Sequence, residues 1–178
     1  NSMRDSYIIA LILITALMVV FLGSWKVGLL SMIPNLTPIL ITLGLMGFFD
    51  LPLDPFTILI GSIGIGLVVD DTVHFLSVFQ RYFDRYGDAA RAIQETLMTT
   101  GRALLFTTLI LVGGFASYMA ADFVNIFAFG MLLVVCIGSA LILDVLAAPA
   151  LMMLVYGKQS SLKQPRAYQK EIGFAELN

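Results

Sequence analysis

The chain has 178 residues, of which 59% are hydrophobic and 12% charged, and a net charge of −2, whereas an ordinary soluble domain is about a quarter charged and under half apolar. That balance excludes a water-soluble globular domain, and the absence of a basic run excludes a nucleic-acid partner. One cysteine, Cys136, and one histidine, His74, exclude a disulfide framework and a multi-histidine zinc site built from this chain alone, so neither a metal nor a cofactor is expected.

Apolar runs approaching the roughly 20 residues that cross a bilayer predict an all-α integral membrane fold. In chain order the runs without charge cover residues 7–24, 27–49, 55–79, 103–121 and 124–156, which makes five transmembrane helices. The first lacks a small-residue cleavage site and the next span follows almost at once, so it reads as a helix and not as a signal peptide. In the second, Pro34 and Pro38 each lack a backbone donor, which predicts that the helix starts or kinks there. Residues 50–55 read as a tight outer turn with Pro55 in the first turn of the third helix. Between the third and fourth spans, Arg81, Tyr82, Phe83, Arg85, Tyr86 and Arg91 alternate with Ala89, Ala90, Ile93 and Leu97. An amphipathic helix on the cytoplasmic surface, about residues 81–101, is expected there, with Asp88 as a cap for a helix from Ala89. Residues 157–178 form a polar tail.

Basic loops stay in the cytoplasm. Lys26 lies between the first two spans, Arg81, Arg85, Arg91 and Arg102 between the third and fourth, and Lys158, Lys163, Arg166 and Lys170 after the fifth, while the alternate loops hold Asp50, Asp54 and Asp122 and no base. The chain is therefore expected to enter from outside and to end in the cytoplasm. An N-terminus outside calls for a preceding segment, so we expect a longer polypeptide with at least one further span before residue 1.

Asp70 and Asp71 stand out against this background. They lie about 15 residues into the third span, or on the order of 22 Å along a helix. A carboxylate at that depth is protonated, paired or turned to a wet cavity, because an ionised and unpaired one costs several kcal/mol. Two adjacent residues point about 100° apart and do not share one structural partner, which favours a proton or ion role for at least one of them. His74 follows Asp70 by one helical turn on the same face, where it reads either as a relay or as an interfacial histidine. Asp144, in the fifth span, reads as a structural acid satisfied by Arg102 or by a helix-end donor. Gly61, Ser62, Gly64 and Gly66 allow another helix to approach the third span closely. Thr107, Thr108, Gly113 and Gly114 line the fourth span similarly; the threonine hydroxyls either relay protons or bond their own backbone.

The string Gly66-Leu67-Val68-Val69-Asp70-Asp71-Thr72-Val73-His74-Phe75 resembles the Gly-x-x-x-Asp-Asp signature of the resistance-nodulation-division (RND) superfamily. It is most similar to the branch with the mycobacterial membrane protein large (MMPL) exporters, hopanoid-type lipid exporters and Patched. Pro34-Asn35-Leu36-Thr37-Pro38, Gly101-Arg102-Ala103 with Thr107-Thr108 and Gly114-Phe115, and Asp144 with Ala148-Pro149-Ala150-Leu151 resemble further segments of that branch, in the same order. The resemblance implies five spans of one RND half, the unit that also occurs as a sterol-sensing domain. The short polar tail points to the C-terminal half. Implied with it are a bacterial inner-membrane location, proton-driven export of lipids or other hydrophobic molecules and homo-oligomeric assembly. The expected partners are the opposite half, an extracytoplasmic domain and membrane lipids. Asp70 and Asp71 would carry proton coupling, with protons as the coupling ion, and Gly64 and Gly66 would pack near them. Many relatives have glycine where Val68 stands, a departure that bears on how closely the partner helix packs.

Two alternatives share this scaffold: a sterol- or lipid-sensing regulatory domain, and a protein-translocation accessory subunit whose equivalent helix carries a different Asp motif. An intramembrane aspartyl protease requires Gly-x-Gly-Asp, but Gly64-x-Gly66 is followed by Leu67 and Asp144 is preceded by Leu143, so no enzyme is expected. Cys136, in an apolar stretch, reads as a small packing residue.

Overall fold

A computed structural model describes residues 2–51 and 55–160, and every regular element among them is helical. The expected tail beyond residue 160 and the tip of the outer turn at 52–54 lie outside the described residues. The order is α1 (Ser2–Leu22), α2 (Trp25–Phe48), α3 (Pro55–Tyr86), α4 (Ala89–Thr96), a π-helical turn (Leu97–Gly101), α5 (Arg102–Ala116), a 3₁₀ turn (Ser117–Ala120) and α6 (Val124–Ser160). Among the described residues four helical stretches are long and apolar enough to cross a membrane, Trp25–Phe48, Ile58–Tyr86, Ala89–Ala120 and Val124–Gly157, and a shorter apolar one occupies Ile8–Phe21. The protein is an all-helical integral membrane protein.

Local chemistry sets the borders. Gly87 ends α3 at φ +66, donating its N–H to the Phe83 carbonyl at 2.8 Å, a left-handed position that glycine occupies without a Cβ penalty. Asp88 then caps α4 by accepting from the Ala90 N–H at 3.0 Å, which gives an otherwise orphaned donor its partner. Residues 81–86 thus close α3, and the surface segment between the third and fourth spans begins at Ala89. It does not lie apart from the bundle. Ala89, Ala92 and Ile93 are buried with Phe79 and Phe83 of α3 and Met152 of α6, and the π turn carries the helix on into α5, shifting its facing by the inserted residue.

Of the two readings of the prolines in α2, a helix start or a kink, the start is excluded. The helix starts at Trp25, after Ser24 in extended conformation, and both Pro34 and Pro38 lie inside it. A proline leaves a carbonyl of the preceding turn without its helical donor, a defect that membrane helices tolerate where neighbouring helices cover it. That covering is present: Ser31, Pro34, Asn35, Pro38 and Thr42 form a buried stripe in a helix packed on α6, α1 and α3.

The interior is layered along the bundle. Toward one end Met46, Ile60, Leu132, Leu133 and Ile137 pack together; toward the other Phe75, Phe79, Phe83, Ala92, Ala148 and Met152 belong to a larger cluster. Between them lies a thin layer of Val68, Cys136 and Ala140. Phe21, Trp25, Phe48, Phe106, Ile110 and Leu154 are exposed, so the outside is as apolar as a lipid solvent requires.

Candidate functional site

Beside the thin Val68 layer, helices α2, α3 and α6 meet over polar side chains. Asn35 from α2, Thr72 from α3 and Asp144 from α6 are 2%, 0% and 1% exposed. The Thr72 hydroxyl oxygen is 2.6 Å from Asn35 Oδ1, 2.8 Å from Asp144 Oδ1 and 3.1 Å from the Val68 carbonyl. Helical spacing aligns this trio with the apolar layer: Gly64, Val68 and Thr72 recur every four residues on α3, as do Cys136, Ala140 and Asp144 on α6. At Gly64 a Cβ would come within 3.0 Å of the Cys136 Sγ, so the glycine sets how closely α3 and α6 approach. Val68 is buried with Cys136 and Ala140.

The partner of Asp144 corrects the sequence reading. Arg102 is exposed at the start of α5, and the side chain that reaches Asp144 is Thr72, from a different helix. Sequence reasoning singled out neither Asn35 nor Thr72 as a site residue. The available signal was that a buried acid needs a hydrogen-bonding partner and that these are polar residues inside apolar spans.

The acidic pair is split by helical rotation. Asp70 is exposed on α3, Asp71 is half-buried, and His74, one turn beyond Asp70, is exposed. Gly66 shares the face of Asp70 and His74, and a Cβ placed on it would meet nothing within 4 Å. This face of α3 is therefore left uncovered by the other described helices, while Thr72 points into the seam beside half-buried Asp71.

Thr107 is exposed and donates to the carbonyls of its own helix at Ala103, 3.1 Å, and Leu104, 3.0 Å; Thr108 is buried. Among the described residues no cluster of three or more His, Cys, Asp or Glu side chains is gathered as a metal site.

Comparison with known proteins agrees with this architecture. The family model for the AcrB/AcrD/AcrF family matches residues 1–175. The chain is also similar to MJ1562 of Methanocaldococcus jannaschii, named as a membrane protein, with 25% identity over 146 residues, 82% of this chain. The matched region spans 38% of that relative's length.

Proposed function

Because the chain belongs to the AcrB/AcrD/AcrF family of the RND superfamily, we propose that it is the transmembrane part of a proton-motive-force-driven exporter. In this reading it moves lipids or other hydrophobic molecules out of a bacterial inner membrane. Asp70 and Asp71 bind and release the coupling protons, and the chain forms the five-helix unit of the C-terminal half of an MMPL/Patched-like exporter. The observation that carries the reading is Asp70, exposed in the membrane-spanning part of α3 on the same face as Gly66 and His74. A charge facing hydrocarbon costs several kcal/mol, so this face calls for a polar counterpart, which the opposite transmembrane half would supply. Gly66 leaves room for that helix to approach.

Protonation of either aspartate removes a charge from the contact and lets α3 shift against its counterpart. At about 1.4 kcal/mol per pKa unit, a difference of a few units in proton affinity between two states supplies several kcal/mol of coupling. The opposite half, an extracytoplasmic domain and further copies are the proposed protein partners, with substrate selection outside this unit.

The test is proton flux in proteoliposomes holding the full-length protein under an imposed pH gradient, with Asp70→Asn and Asp71→Asn made singly and insertion checked alongside. Loss of flux in either variant, with normal insertion, is the expected result. Flux at the wild-type level in both would overturn the proposal and bring forward a lipid-sensing domain that does not pump.

A further inference from the structure

Thr72 has one hydroxyl proton and three oxygen neighbours. If Asp144 is ionised, Thr72 donates to it, and Asn35 Oδ1 is then left against a lone pair of the Thr72 oxygen at 2.6 Å. That contact becomes favourable only if the Asn35 amide turns over and presents Nδ2, since oxygen and nitrogen of an amide are distinguished by their bonding alone. The ionised Asp144 would also be a charge with one hydrogen bond in a sealed seam, because its Oδ2 is buried without a partner. If Asp144 is protonated, both short contacts are satisfied as they stand. Asp144 donates to Thr72, and Thr72 donates to Asn35 Oδ1. The groups left unpartnered, Asn35 Nδ2 and Asp144 Oδ2, are then neutral.

We propose that Asp144 is a proton-binding carboxyl of this unit, and that Asn35 and Thr72 are positioning residues whose hydrogen-bond direction reverses when it gains or loses its proton. Asn35, Thr72 and Asp144 come from α2, α3 and α6, so one proton resets a contact among three helices. The inference deepens the proton-coupled reading and rests on it for its purpose, since Thr72 follows Asp71 directly in α3.

Among the described residues no basic side chain is seen paired with Asp144, whose hydrogen-bond partner is Thr72. Lys26 lies in the first turn of α2, and α4 carries exposed Arg91 and half-buried Glu95. Exposed Arg102 opens α5, and Tyr118 lies in the 3₁₀ turn. On α3, Asp70, His74, Arg81, Asp84 and Arg85 are exposed, and Asp71, directly before Thr72, is half-buried.

Infrared difference spectra of the full-length protein in lipid, recorded between low and high pH, test this directly through the carbonyl stretch of a protonated carboxyl. Three results are expected: a band that titrates, its loss in Asp144→Asn, and its shift to higher frequency in Thr72→Val but not in Thr72→Ser. If Asp144→Asn does not fold, the Thr72 pair carries the test. A band unchanged by both Asp144→Asn and Thr72→Val, or no such band, overturns the proposal. Recording the spectra also in an Asp70→Asn, Asp71→Asn background separates the two ideas. A surviving Asp144 band beside unimpaired proton flux in the Asp70 and Asp71 variants would sink the coupling pair alone. A missing band beside abolished flux would sink the Asp144 site alone.

Discussion

At Gly130 a methyl group has no room: a Cβ there would lie 2.7 Å from the Phe115 carbonyl and 2.8 Å from the Tyr118 Cβ. The obstacle includes backbone and the root of a side chain, neither of which swings away, so α6 and the end of α5 would have to part. Gly130→Ala is expected to destabilise the protein by about 1–3 kcal/mol, the usual range for an overpacked contact, and to lower the thermal unfolding midpoint in detergent. Gly66 is the opposite case. Nothing lies within 4 Å of its added Cβ, so Gly66→Ala is expected to leave that midpoint unchanged, and a loss of proton flux in this variant would report a contact made outside the unit. An equal drop in both midpoints would refute the contrast.

At the scale of the element, α4 shows how a short helix is held. Its apolar face enters the cluster with Phe79, Phe83 and Met152, and its opposite side keeps Arg91 exposed, with the guanidinium 4.4 Å from the centre of the Tyr86 ring. Asp88 supplies the cap and places a negative charge at the positive end of the helix dipole. Asp88→Ala is expected to cost about 1 kcal/mol, seen as faster amide exchange confined to the first turn of α4, and Asp88→Asn to restore most of the protection. Unchanged exchange in Asp88→Ala would mean that packing alone holds this turn. The buried stripe of α2 makes a related point, since prolines that would break an isolated helix are accommodated here among neighbours.

For the whole molecule, the expected orientation puts the α3–α4 connection in the cytoplasm and the start of α6 outside. Ala90 and Asn125 are exposed at these two places, and the native Cys136 is buried. With Ala90→Cys and Asn125→Cys made separately in the full-length protein, a membrane-impermeant maleimide is expected to label position 125 in intact spheroplasts. Position 90 should react only after permeabilisation. Labelling in the reverse sense would invert the topology, and labelling of both from one side would mean that residues 90 and 125 do not flank the membrane.

Hydropathy along the chain was enough to read an all-helical membrane fold, because each helix must satisfy its own backbone in lipid and its apolar length is therefore a local property. The Asp70-Asp71 pair was legible for the same reason: a charge inside an apolar run is conspicuous without knowledge of any neighbour. Helical period further showed that the two acids point in different directions. Which of them the bundle covers was a question of packing, answered by the exposed Asp70 and the half-buried Asp71. Packing also decided that Asp144 meets Thr72 and not Arg102, that Asn35 joins them, and that α2 runs through both of its prolines. Period assigns residues to a common face of one helix, but which faces meet depends on side chains from α2, α3 and α6 interdigitating across large separations in sequence, and only the assembled bundle specifies that.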